Sequence, residues 1–117
     1  MQKTRLIRES ALKVARNKGN ARIWIEGAAL SSAGFSRGDA FVVIVEEYRV
    51  RILFEKSTAF AKHADERVRH VAGTESRPII DVCNRQLTTF FGDATHYVRR
   101  VFGDRIVCLR IPTGGAR

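Results

Sequence analysis

Residues 21–55, ARIWIEGAALSSAGFSRGDAFVVIVEEYRVRILFE, hold the pattern on which the fold turns. Ile23-Trp24-Ile25 is a short apolar strand run, and AALSSAG at 28–34 reads as one to two helical turns. The helix stops at Gly34, because glycine takes the left-handed backbone that closes a helix without steric cost. Phe35 packs behind that end, and Ser36-Arg37-Gly38-Asp39 is a turn by composition. The run AFVVIVEEYRVRILFE at 40–55 predicts two strands folded back over Glu46-Glu47-Tyr48-Arg49. In the second strand Val50, Ile52 and Phe54 face inward, with Arg51, Leu53 and Glu55 on the other face. The result is one β-α-β-β unit over 22–56.

A looser copy follows at 77–111, RPIIDVCNRQLTTFFGDATHYVRRVFGDRIVCLRI. Ile79 to Val82 reads as strand, RQLTTFF as a short helix, Gly92-Asp93 as a turn, and THYVRRVF with RIVCLRI as a hairpin across Gly103-Asp104. Laid side by side, Arg22 matches Arg77, Leu30 matches Leu87, Gly38-Asp39 matches Gly92-Asp93 and Arg49 matches Arg105. A repeat at this spacing dictates architecture, so the chain divides into a basic segment at 1–21, a first unit at 22–56, a connector at 57–76, a second unit at 77–112 and a flexible tail at 113–117. At 117 residues the units are too small to bury a core alone and are expected to share one.

The formal charge of +9 exceeds what solubility asks of so small a domain, and nucleic acid is the first partner such an excess suggests. Most of it lies in residues 1–22, where Lys3, Arg5, Arg8, Lys13, Arg16, Lys18 and Arg22 face only Glu9. The apolar residues between Leu6 and Asn17 fit an amphipathic helix only loosely, so this segment is read as either a helix or a frayed basic arm. Residues 57–76 read as a polar connector, helix-tolerant to about His70 and turn-like through Gly73. The N-terminus has no apolar core of a signal peptide, and no run is long enough to span a membrane, so a cytoplasmic, nucleoid-associated location is expected. Cys83 and Cys108 show no CxxC spacing and read as buried, inert thiols in a reducing compartment.

With the pattern in view, the first unit resembles the AbrB/MazE/SymE superfamily of swapped-hairpin barrels. Arg22-Ile23-Trp24-Ile25 as leading strand, Leu30 with Ala33-Gly34-Phe35 as the short helix and its end, Gly38-Asp39 as the turn and Val50-Arg51-Ile52-Leu53 as the closing strand carry the resemblance. The stretch AGFSRGD looks most like the SymE branch. Members pair one such unit per chain with a second chain, so the resemblance implies one intramolecular pseudo-dimeric barrel, mainly β with short helices. Glu26-Gly27 stands where relatives often place a proline, and the second unit has Phe90-Phe91-Gly92 in place of the Ala-Gly helix end. DNA-binding members present basic residues from the loop entering the first strand. Here that loop offers Arg16, Lys18, Asn20 and Arg22, and its counterpart offers Arg67, Arg69, His70 and Arg77.

No residue pattern makes an active site. His63, His70 and His96 are scattered, Asp65-Glu66 reads as helix-surface charge, and the serines of LSSAGFS lack a nucleophile elbow. No metal, cofactor or catalytic residue is therefore expected. Trp24 is either core or a base-stacking group, and Tyr48 is exposed at a hairpin tip. Arg49, Arg99, Arg100 and Arg105 on the hairpins are either a solvated face or part of a binding surface, since guanidinium suits bidentate phosphate contact. The reading is a non-enzymatic protein that binds duplex DNA, as a regulator or toxin-antitoxin-like accessory, monomeric with internal pseudo-symmetry or homodimeric. The alternatives are an RNA-binding SymE-like toxin and a protein-interaction module docking on a larger enzyme through an N-terminal helix.

Overall fold

The computed structural model describes residues 5–57 and 67–111. The fold is mainly antiparallel β with two short helices. In chain order the elements are β1 (Leu6–Lys13), β2 (Ala15–Asn17), β3 (Asn20–Glu26), α1 (Ala28–Ser32), β4 (Ala40–Glu46) and β5 (Arg51–Lys56), with a single 3-10 turn at Glu47–Arg49. They continue with β6 (Arg69–His70), β7 (Ala72–Gly73), β8 (Pro78–Cys83), α2 (Arg85–Phe91), β9 (His96–Phe102) and β10 (Arg105–Arg110).

Two sheets result, in the orders β1-β9-β10-β5-β4-β6 and β2-β3-β8-β7. Exchanging β1 to β5 for β6 to β10, each for its counterpart, leaves both orders unchanged. The registers obey the same exchange: Ala15 faces Arg22 across β2 and β3, and Ala72 faces Ile79 across β7 and β8. The offset is 57 in each case (15 to 72, 22 to 79). It carries Leu30 onto Leu87, both fully buried, but pairs Arg22 with Ile79 and Asn20 with Arg77, not Arg22 with Arg77. The Val14 and Val71 hydrogen bonds, to Thr95 and Asp39, likewise align Gly38-Asp39 with Ala94-Thr95 and not with Gly92-Asp93. Arg105 opens β10 as Arg51 opens β5, so Arg51, not Arg49, is its counterpart. Arginine and glycine landmarks misled because turns differ in length between the halves, whereas strand registers do not.

Each element has a local cause. Ile23 and Ile25 alternate inward from β3, and β-branched Val42 to Val45 supply β4. The end of α1 is a Schellman closure: Phe35 N–H donates to the Leu30 carbonyl at 2.9 Å and Gly34 N–H to that of Ser31 at 3.0 Å, with Gly34 at φ +85°. Asn84 caps α2 by accepting the Leu87 N–H at 2.9 Å. Phe35, Phe54, Phe90 and Phe91 are fully buried in one cluster with Ile23, Ile25, Ile52, Ile80 and Ile106, each contributing roughly 1.5–3 kcal/mol of burial. Both halves supply this core.

Several expectations are corrected. Residues 6–17 form neither helix nor frayed arm: β1 pairs with β9 and β2 with β3, because Leu12 and Val14 alternate onto the core while β9 satisfies the backbone. That also removes the helix proposed to dock on a partner enzyme. The second half of the connector is not a passive link, since β6 pairs with β4 and β7 with β8. The helix-tolerant stretch at 58–66, with His63, Asp65 and Glu66, and the tail at 113–117 lie outside the described residues. Leu53, placed outward, is 7% exposed because it sits directly across from Val107 and Ile44. Cys108 is buried as expected, its thiol pushed up to about 12 by burial, but Cys83 ends β8 on the outer face and is exposed.

Candidate nucleic-acid interface

The hairpin between β2 and β3 carries an exposed lysine at its turn. Asn17 pairs with Asn20, leaving Lys18-Gly19 as a two-residue turn at φ +53° and +87°. These angles fit a type I′ turn, which favours Asn-Gly because both central residues must take positive φ. A lysine at the first position accepts backbone strain to place an ammonium at the tip. Lys18 is exposed and makes no ion pair among the described residues. Arg5, Arg8 and Lys13 are likewise exposed on the same arm, while its one carboxylate, Glu9, accepts Arg100 at 2.8 Å.

The other residues expected in this loop have structural partners. The Arg16 guanidinium donates to the Gly92 carbonyl at 2.9 Å, tying the hairpin to the end of α2. Asn20 accepts the Thr88 hydroxyl at 2.9 Å, and that hydroxyl accepts the Ala21 N–H at 2.8 Å. Arg22 forms a two-pronged pair with Asp81 at 2.8 and 2.9 Å, which raises its pKa further.

The second loop is not a second basic tip. Thr74 and Arg77 exchange backbone hydrogen bonds at 3.1 Å, so Glu75-Ser76 occupies the place of Lys18-Gly19. Arg77 pairs with Glu26 at 2.8 Å, and Arg67 and Arg69 sit back at β6. The halves therefore offer tips of opposite charge, a difference hidden by the arginine count of the segment.

On the outer face of the small sheet, Trp24 is 42% exposed and not core. Its indole N–H donates to Glu26 at 2.8 Å, and the Arg22 guanidinium lies 4.8 Å from the ring centroid. One ring face is thus covered by a cation, which leaves only the other for stacking. Arg77, then Trp24, hold the Glu26 carboxyl below its ordinary range.

On the hairpins, Arg105 stacks 4.7 Å over Phe102 and pairs with Asp104 at 3.4 Å. Arg99 points inward, its Nε buried with no hydrogen-bond partner among the described residues. Arg49 and Tyr48 are exposed at the β4–β5 turn, Tyr48 as expected. Arg8 and Lys13 were counted only within the charge of the N-terminal segment and not singled out, and Arg85 was not considered, although it follows the Asn84 cap.

Among the described residues no group of three or more His, Cys, Asp or Glu is placed to hold a metal ion, and no helix is long and apolar enough to cross a membrane. No family model, curated protein or solved structure matches the chain.

Proposed function

We propose that the chain binds double-stranded DNA as a two-unit, AbrB/SymE-like pseudo-dimer closed within one polypeptide, without enzymatic activity. The palindromic strand orders and the crossing arms support the two-unit reading. The observation that carries the binding reading is Lys18, a cation without an ion pair among the described residues, held at positive φ on the tip of an arm that also exposes Arg5, Arg8 and Lys13. The two-residue turn itself requires the positive φ, and a lysine there in place of the asparagine it favours supports a role for the charge. These cations attach to phosphates and release counterions, an interaction that positions the protein without reading bases. Because the opposite tip carries Glu75, attachment is one-sided, unlike that of a symmetric pair of basic loops. A role in transcription regulation or in a toxin-antitoxin-like system follows from the resemblance alone.

Fluorescence anisotropy with labelled duplex DNA, single-stranded DNA and RNA of one sequence tests the proposal. Tighter binding to duplex DNA than to either competitor is expected. Preference for RNA replaces it with the RNA-binding reading, and no binding to any of them at low salt removes nucleic acid as the partner.

A further inference from the structure

A cavity of about 360 Å³ opens between β4, β8, the start of α2 and the chain entering β6. Among the described residues its charged lining consists of Arg67, Arg69 and Arg85, with Gln86 beside them and Val82 and Leu87 among the apolar lining, and no described carboxylate lines it. None of the three arginines makes an ion pair among the described residues. Arg69 is half-buried, and burial, followed by the charge of Arg67, lowers its pKa. Holding the half-buried Arg69 beside the charge of Arg67 costs desolvation and repulsion that an anion in the hollow would offset.

The fold does not demand these arginines. The offset that relates the halves carries Arg67, Arg69 and Arg85 onto Ser10, Leu12 and Ala28, so the same backbone positions are built without charge in the other half. The charge is therefore a property of this cavity and not of the architecture. Its volume lies at the small end of ligand pockets and leaves room beyond a phosphate for the group that carries it, and guanidinium forks match the tetrahedral oxygens of phosphate.

We infer that this cavity is a binding site for a single phosphate group, held by Arg67, Arg69 and Arg85. The group belongs either to a free phosphate ester or to a nucleic-acid backbone. The site stands on its own geometry and does not need the Lys18 tip.

Isothermal titration of the full chain with inorganic phosphate and with a nucleoside 5′-monophosphate, against chloride at matched ionic strength, tests the inference. Saturable binding is expected, weakened at least about tenfold by Arg69→Gln and by Arg85→Gln and unchanged by Lys18→Ala. Arg85 is exposed, so its variant keeps the test valid even if Arg69→Gln unfolds the chain, which thermal unfolding of each variant reveals. Absence of binding for both probes, or binding that folded Arg85→Gln protein retains in full, overturns the site. Labelled duplex then names the source: a weaker duplex complex with Arg85→Gln assigns the phosphate to nucleic acid, and an unchanged one assigns it to a free ester. Failure of duplex binding with phosphate binding intact refutes the proposed function and leaves this site standing.

Discussion

The Val14 N–H donates to the Thr95 carbonyl at 2.9 Å, and the Val71 N–H donates to that of Asp39 at the same distance. Each bond carries an arm from one half to the turn that opens a hairpin strand of the other. The N-terminal arm is consequently part of the fold. Removing residues 1–13 deletes the whole β1–β9 ladder, whose hydrogen bonds contribute about 0.5–1.5 kcal/mol each. Thermal unfolding should show a clearly lower midpoint; an unchanged midpoint would mean that β1 adds nothing to stability.

Lys18 separates stability from binding. Lys18→Asn places Asn-Gly in the turn that prefers it, and should raise the unfolding free energy by a few tenths to about 1 kcal/mol while weakening duplex binding. Denaturant unfolding and anisotropy on the same variant check both halves of the statement. A variant that loses stability contradicts the strain assigned to this tip.

Gly73 sits at φ +87°, where an added Cβ would lie 2.3 Å from the Arg77 carbonyl. Gly73→Ala should therefore cost more than about 1 kcal/mol in denaturant unfolding, because neither backbone nor space accepts a side chain. Gly19→Ala meets no neighbouring atom and suffers only the positive φ, so it should cost less.

Trp24 is the single tryptophan, and its N–H bond to Glu26 makes its emission a reporter of that carboxylate. Arg77 first and Trp24 second depress the Glu26 pKa on folding. The stabilisation is then fully present above the unfolded value near 4.5 and is lost as pH falls through the folded value below it. Emission should be flat from neutral pH to about 5 and change only below 4.5, and Glu26→Gln should abolish the change. A transition above 4.5 would reverse the sign of the coupling.

The two β-α-β-β stretches were legible because alternation in Ile23-Trp24-Ile25, a β-branched run at 42–45 and Gly34 each leave a local signature. The arm was not, since β1 is mostly exposed and even Leu6 and Ile7 face solvent, so no periodicity marked it. Its strand character comes from β9, some ninety residues away in sequence, as in the Glu9 and Arg100 pair. Trp24 and Cys83 show the same boundary: alternation says that a strand has two faces, and only the packed sheet says which is wet. At the candidate interface, the exposure of Lys18 beside Gly19 was legible from the turn composition, whereas Arg22 and Arg77 were counted as free charge before Asp81 and Glu26 could be seen beside them.

The most direct measurement is the salt dependence of duplex binding for the parent chain and for the Arg8→Ala, Lys13→Ala, Lys18→Ala triple variant. Each phosphate contact contributes about 0.9 to the slope of log affinity against log salt. The account predicts a steep slope for the parent and a flatter one for the variant, by up to about 2.7 if all three cations touch phosphate. Identical slopes for the two proteins would contradict it, because the arm would then carry charge without meeting the DNA.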